Sequence, residues 1–342
     1  MGGPLCSIIV LNYNGKSYLQ DCLSSLLKQR YRPFEVVLVD NASTDGSAEF
    51  VRRQFPDVKV VQNANNAGFA EGNNIGARNA TGDLLIFLNN DTEVPPDWLE
   101  RLVSGAYSDD AIGVCGAMTL RFDQRDTIDL LGFTLDRYGF PALIARGEKD
   151  EGQYAQVQDV FILGACLAIK RGVADRIGLF DPKYFMLSED IDLCWRAQVA
   201  GHRTVVAPFA KVYHKVAGSE MGTWKRARTR YLSERNTIRS LLKNYAGATL
   251  LRILPVYSVM LMLEMGYWLA MGRPAVTWAV VRAVGWNLRN LPDTWREHRR
   301  VQGLRAVSDA VIFQGMDPSS NKFGLLWEQV TGLFGKRRIP AT

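Results

Sequence analysis

Two apolar runs in this chain end abruptly in carboxylates. Leu84-Leu85-Ile86-Phe87-Leu88 stops at Asn89-Asn90-Asp91-Thr92, and Val36-Val37-Leu38-Val39 stops at Asp40, which Asn41-Ala42-Ser43-Thr44-Asp45-Gly46 follows. A short apolar run reads as a buried strand, and its terminal acid then stands at the carboxyl edge of a sheet, where open α/β sheets bind ligands. Asp91 beside an Asn carbonyl offers hard oxygen ligands for Mg²⁺ or Mn²⁺, ions that bind through one or two carboxylates plus substrate phosphates. Asp40 can accept hydrogen bonds from a base or a ribose hydroxyl. For both, a capping or turn role is the competing explanation.

Other polar groups fall at strand and helix ends. Asn12-Tyr13-Asn14 follows the first apolar run and brings amides to the same edge. In Asn65-Asn66-Ala67-Gly68-Phe69-Ala70-Glu71-Gly72-Asn73-Asn74, Gly68 permits close backbone approach, and the following helix presents free N–H groups to an anion; an ordinary Asn/Gly turn has the same composition. Ser188-Glu189-Asp190-Ile191-Asp192 places three acids at a helix start, which the helix dipole favours, and that suffices for Asp192. Adjacent helical carboxylates point in different directions, so one of Glu189 and Asp190 can face a reacting hydroxyl while the other supports it. His214, one of three histidines, is the remaining candidate, because imidazole also binds Mn²⁺; a structural histidine is the alternative.

These groups need a sheet to gather them. Residues 5–120 alternate strand and helix: strands at Leu5–Leu11, Phe34–Val39, Val58–Gln62, Leu84–Leu88 and Ile112–Met118, with helices at Gly15–Arg30, from Ser43 or Thr44 to about Phe55, at Ala70–Ala80, and from Pro95-Pro96-Asp97 onward. Such alternation predicts an α/β fold with a mostly parallel sheet and helices on both faces. Residues 121–160 read as a loop or hairpin excursion over the active face. Val160–Lys170 reads as a strand returning to the core, Phe180–Ser188 as a loop, Glu189–Gly201 as a helix, and Thr204–Pro208 as a strand that Ala210–His214 continues at the rim. From Trp224 onward the pattern is helical and increasingly apolar.

Composition narrows the class. The 342 residues, 47% hydrophobic, can fill a real core. Five scattered cysteines without a C-x-x-C pair fit reduced thiols, not a disulfide framework or zinc site. Ser7–Leu11 is too short for a signal-peptide apolar region and reads as a first strand. From Lys225 to Arg305, 15 Lys/Arg face 4 Asp/Glu, a local net of +11 in a chain of only +6. The anionic partner this implies is a membrane more than a nucleic acid, because the same region is rich in Leu, Met, Trp and Val.

Taken in order, these motifs resemble the family 2 inverting glycosyltransferases. The resemblance rests on Asn12-Tyr13-Asn14, Val39-Asp40-Asn41-Ala42-Ser43-Thr44-Asp45-Gly46-Ser47, Asn65-Asn66-Ala67-Gly68-Phe69, Leu88-Asn89-Asn90-Asp91-Thr92, the run Glu189–Arg196, His214 with Gly218-Ser219, and Arg235-Asn236. It covers roughly residues 5–245 and looks most like bacterial rhamnosyltransferase-like members that build cell-envelope glycans. It implies a GT-A, nucleotide-diphospho-sugar-binding, Rossmann-like catalytic domain over 1–245, with a helical membrane-associating region over 246–342. The implied donor contacts are Asn12, Asn14, Asp40, Asn41, Asn66, Gly68, Asn73 and Asn90, with Asp40 on the base. Asp91 and His214 would hold Mg²⁺ or Mn²⁺ on the diphosphate, and Asp190, or less readily Glu189, would be the base. Trp195, Arg196, Lys215 and Arg235 are the expected acceptor or diphosphate contacts. One departure is that the usual D-x-D stands here as Asn89-Asn90-Asp91, so the metal site leans on the nucleotide's phosphates.

The implied reaction moves a sugar, with the subfamily look tilting toward L-rhamnose, to a hydroxyl of a polyprenyl-pyrophosphate-linked acceptor. No G-x-S-x-G nucleophile is evident, in keeping with single displacement. The expected site of action is the cytoplasmic face of the plasma membrane. Ile253–Met271 is long and apolar enough to raise a transmembrane reading, but Pro255 and Glu264 interrupt it. With Trp278, Trp286, Arg282 and Arg289 following, the region reads as an interfacial helix pair, peripheral or monotopic; a soluble helical subdomain is the alternative. A sugar nucleotidyltransferase is disfavoured because Asn12-Tyr13-Asn14-Gly15-Lys16 carries one basic residue where a triphosphate loop needs several. A non-catalytic nucleotide-sugar-binding protein of the same fold is the other competing class.

Overall fold

The computed structural model describes residues 3–215, 226–319 and 324. The first third builds the sheet in the expected alternation: β1 (Cys6–Asn12), α1 (Lys16–Leu27), β2 (Phe34–Asp40), α2 (Ser47–Gln54), β3 (Lys59–Gln62), α3 (Gly68–Arg78), β4 (Leu84–Asn89), β5 (Thr92–Glu93), α4 (Trp98–Ala106) and β6 (Ile112–Arg121). The apolar runs of β1, β2 and β4 are buried on both faces, the property of parallel strands covered by helices on each side.

The next segment holds β7 (Ile128–Leu130), β8 (Gly132–Leu135), β9 (Pro141–Ile144), β10 (Gln158–Asp159), β11 (Cys166–Lys170), α5 (Arg171–Ile177), α6 (Glu189–Val199) and β12 (Arg203–His214). Along the ten-stranded sheet the order is β10-β12-β6-β11-β4-β1-β2-β3, with β5 on β12 and β7 on β6. The pairs β1–β2, β1–β4, β2–β3 and β6–β12 are parallel. β11 runs antiparallel between β4 and β6. The returning strand is therefore shorter than Val160–Lys170 and reversed in direction. The excursion over 121–160 is a hairpin, β8–β9, plus the sheet strands β7 and β10.

The remaining helices are α7 (Arg226–Asn244), α8 (Gly247–Ala270), α9 (Pro274–Arg289), α10 (Leu291–Leu304) and α11 (Asp309–Ile312). The boundary drawn at 245/246 falls between α7 and α8, but it does not separate two cores. Leu135, Phe161 and Trp195 pack in one cluster with Leu241, Tyr245, Leu250, Tyr257 and Val280. The helical layer is thus bolted to the back of α6, the helix that carries Glu189 and Asp190.

Candidate active site

The carboxyl edge of the sheet gathers the expected groups. β4 ends at Asn89, and the chain turns through Asn90 and Asp91 into β5. A register shift in β12 between Ala207 and Lys211 lets that strand bend beyond its pairing with β6 and meet β5, with His214 opposite Thr92. This pairing places His214 Nε2 3.2 Å from Asp91 Oδ1. On the other side of the ring, Nδ1 lies 3.6 Å from Asp129 of β7. Burial opposes a charged imidazole, but hydrogen bonds to Asp129 and Asp91 outweigh it and push the His214 pKa up to about 9. The histidine is thus clamped between two carboxylates.

That pair fits a divalent cation. Ligands about 2.1 Å from an octahedral ion and at right angles lie about 3.0 Å apart, close to the observed Asp91–His214 spacing. A carboxylate behind the second imidazole nitrogen is the usual outer support of a metal-bound histidine, and Asp129 stands there. Among the described residues no three His, Cys, Asp or Glu form a metal cage by themselves. The chemistry matches an ion whose other ligands come from phosphate and water.

A cavity of about 380 Å³ opens beside this pair, lined among others by His214, Asp129, Asn89, Phe69, Phe180, Glu189 and Asp190. Asp91 reaches it through His214. Asp190, at the start of α6, accepts from the Ile191 N–H at 2.8 Å. Burial raises its pKa to about 6. Glu189 is raised further, to about 8, by burial and then by the charge of Asp190. Its Oε2 has no hydrogen-bond partner among the described residues. At neutral pH the two acids therefore divide: Asp190 is ionised and Glu189 carries a proton, the separation that assigns base and acid in paired carboxylates. Asp192 differs. Despite the burial that opposes its charge, Lys243 and Arg196 hold it ionised, well below the usual carboxylate range. It is structural, as the helix-start reading had it.

The donor-side residues form a hydrogen-bonded scaffold. Asp40 is fully buried, accepting from Asn12 Nδ2 at 3.3 Å and from the Ser43 N–H at 3.2 Å. Asn12 Oδ1 accepts from Asn90 Nδ2 at 2.8 Å, so the ends of β1, β2 and β4 are tied together. Asn14, at φ 52°, accepts from the Thr44 N–H at 2.8 Å. Asn41 donates to Asn66 Oδ1 and to the Gly68 carbonyl, and Asn73 donates to the Phe69 carbonyl. Gly68 has φ +80°, and a Cβ there would lie 2.5 Å from both the carbonyl oxygen and a ring carbon of Phe185. Only glycine lets α3 start this close to the loop that leads to Asp190.

Three expected contacts are corrected. Trp195 has 0% exposure and packs edge-on against Phe161 and Tyr245. Arg196 is buried on Asp192 and on the carbonyls of Ile177, Gly178 and Leu179. Arg235 is buried too, donating to the carbonyls of Lys183 and Tyr184. All three face inward because α6 and α7 are sandwiched, so the polar side of each helix meets another layer, not solvent. Lys215 does stand near Asp91, whose carbonyl accepts its N–H at 3.0 Å, but its ammonium is paired with Asp21 at 2.5 Å. Gly218 and Ser219 lie outside the described residues.

Two groups were not legible as functional. Asp129 comes from the excursion and is brought to His214 only by β6–β7 pairing. Asn236, noted only for its place in a motif, donates to the carbonyls of Tyr184, Met186 and Leu187. These bonds hold a segment in which Phe185, Leu187 and Ser188 all have positive φ, a strained approach to Asp190 that its surroundings must fix.

Comparison with known proteins agrees with this geometry. Residues 7–178 match the model of "Glycosyl transferase family 2". An O-antigen biosynthesis protein of Myxococcus xanthus is 31% identical over 64% of this chain and 18% of its own length. The N-acetylglucosaminyl-diphospho-decaprenol L-rhamnosyltransferase of Mycobacterium tuberculosis is 27% identical over 62% of this chain and 76% of its own. The chain spans less than a third of the length of the larger curated relatives it matches. The structure of a mannosyltransferase from Pyrobaculum calidifontis with GDP-Man and Mn²⁺ superposes with a TM-score of 0.52 at 19% identity, covering 88% of this chain and 86% of that one. With the sheet, its acidic edge and the matched segment in agreement, the chain has the GT-A fold and belongs to glycosyl transferase family 2.

Proposed function

We propose that the protein transfers a sugar, a deoxyhexose such as L-rhamnose, from a nucleoside-diphosphate donor to a hydroxyl of a lipid-linked saccharide, inverting C1, in cell-envelope polysaccharide synthesis. The observation that carries this reading is the shared cavity lined by Asp190, Glu189, His214 and Asp129, with Asp91 held against His214. Asp91 and His214 would hold Mg²⁺ or Mn²⁺, whose contribution when bound is to neutralise charge on the departing diphosphate. Asp129 keeps the His214 ring turned toward Asp91. Asp190, ionised at neutral pH, takes the proton of the acceptor hydroxyl as that oxygen attacks C1 from the face opposite the diphosphate. Glu189, protonated, leaves one negative charge at the reacting hydroxyl, not two. Asn12, Asn14, Asp40, Asn41, Asn66, Gly68, Asn73 and Asn90 shape the donor side.

The lipid-linked acceptor is supported by the name of the mycobacterial relative, whose substrate is a diphospho-decaprenol. The helical layer supports action at a membrane surface, taken here as the cytoplasmic leaflet. α8 is 24 residues long with mean hydropathy 1.5 over its most apolar window, only 28% of which is buried. Leu251, Met262 and Leu263 are exposed on it, with Trp278 and Leu288 on α9. Arg230 pairs with Glu264, which accounts for the acid in the middle of α8 without a lipid contact.

The test is Asp190→Asn in a transfer assay with a nucleotide-sugar panel. Transfer should disappear while donor binding stays within about twofold; normal transfer would remove Asp190 as the base. Membrane association is checked by fractionation without detergent, and full recovery in the soluble fraction at physiological salt would refute it.

A further inference from the structure

A second cavity, of about 470 Å³, lies between α7 and α9. Its walls are opposed helical rows: Arg228, Tyr231 and Leu232 on α7, and Ala275, Trp278, Ala279 and Arg282 on α9, with Phe185 closing one end. Such i, i+3, i+4, i+7 spacing puts each row on a single helix face. The small side chains Ala275 and Ala279 leave the space open where larger ones would have filled the helix contact. The groove is apolar along its floor and cationic at its rim. Arg228 and Arg282 are exposed, and Arg282 stacks over the Tyr231 ring at 4.9 Å. Among the described residues Arg282 has no carboxylate within ion-pair distance.

The groove adjoins the catalytic cavity. The Phe185 carbonyl accepts from the Phe69 N–H at 2.5 Å, and Phe69 lines the cavity that holds Asp190. At its outer side the groove passes into an apolar stripe. Trp278 is 62% exposed, and Val281 and Leu288, also exposed, lie within about a quarter-turn of it on α9.

We infer that this groove seats the polyprenyl diphosphate of the acceptor, an inference that rests on the lipid-linked reading above. Arg228 and Arg282 take the diphosphate in charge-assisted hydrogen bonds, for which the planar guanidinium is suited. Leu232, Ala279 and Trp278 take the first isoprene units, and the chain leaves over Val281 and Leu288 toward the bilayer. The acceptor sugar then extends past Phe185 to Asp190. The ligand class follows from the pairing of a cationic rim with an apolar trough: a nucleotide would leave the trough empty, and a neutral lipid would leave the Arg282 charge unmatched.

The test is calorimetric titration of the full chain with farnesyl diphosphate. The wild type should bind it at least tenfold more tightly than it binds inorganic pyrophosphate or farnesol. Arg282→Glu, which reverses the rim charge, and Ala275→Trp, which fills the groove from an exposed position, should each weaken binding at least tenfold, with melting temperatures reporting that both variants fold. Unchanged affinity in both folded variants overturns the proposal. So does an outcome in which the variants lose only partition onto anionic phospholipid vesicles, which would make this face a headgroup patch. Equal transfer rates to a polyprenyl-diphosphate-linked acceptor in wild type and both variants would refute the groove but leave the acceptor reading standing. Groove-dependent farnesyl diphosphate binding without transfer to any lipid-linked saccharide would uphold the site and sink that acceptor reading.

Discussion

Replacing Asp190 with Asn should abolish transfer and at the same time stabilise the protein. Burial raises the Asp190 pKa from 3.8 to about 6, so the folded chain binds a proton more tightly there than the unfolded chain does. A raised folded-state pKa contributes stability that is complete below about pH 4 and is lost as pH rises through 6. At pH 7.5 the wild type has lost all of it. Asparagine imitates the protonated acid, and its amide oxygen still accepts from the Ile191 N–H. A shift of about two units at ~1.4 kcal/mol each sets a ceiling of about 3 kcal/mol for the gain. Loss of the charge beside buried Glu189 acts in the same direction. At about 1–2 °C per kcal/mol for a chain of this size, the melting temperature should rise by up to about 4 °C at pH 7.5 and by much less at pH 4.5. Asp192 is the control two residues away: Asp192→Asn weakens a buried partner of Lys243 and Arg196 and should cost about 3–5 kcal/mol. The assay is thermal unfolding of the three proteins across pH 4.5–8, together with single-turnover sugar transfer. A D190N variant that melts lower than wild type at pH 7.5 would refute the burial argument, whatever its activity.

Three further outcomes are expected. The transfer rate of the wild type should rise with pH through about 6 and then level, because the base must be ionised; a profile flat from pH 5 to 7.5 would exclude Asp190. Asp91→Ala and His214→Ala should each weaken Mn²⁺ binding at least tenfold in the presence of a nucleoside diphosphate, read by the electron paramagnetic resonance of free Mn²⁺, and chelation should stop transfer by the wild type; undiminished Mn²⁺ uptake in both variants would remove the pair as ligands. Gly68→Ala places a methyl group against the Phe185 carbonyl at a left-handed backbone position and should cost about 1–2 kcal/mol or more. It should also lower kcat through displacement of the loop before Asp190, and a variant with wild-type kcat and stability would contradict the close packing.

The sequence determined the parallel sheet and its acidic edge. Apolar runs such as Leu84–Leu88 have few other places to go, and the acids and amides that end them must then line one rim. The pairing of Asp91 with His214, 123 positions apart in the chain, rests on the register shift in β12 and its contact with β5, which no local pattern encodes. Asp129 was invisible for the same reason: it is one aspartate in an irregular segment until β7 joins β6. The acceptor-side reading failed at Trp195, Arg196 and Arg235 because motif position does not say which face of a helix will be covered. Local periodicity fixes what a strand or helix is and where its polar ends fall. Which ends meet, and which arginines are spent on holding layers together, is decided by long-range packing, whose partners lie far apart in the sequence and come together only when the whole core closes.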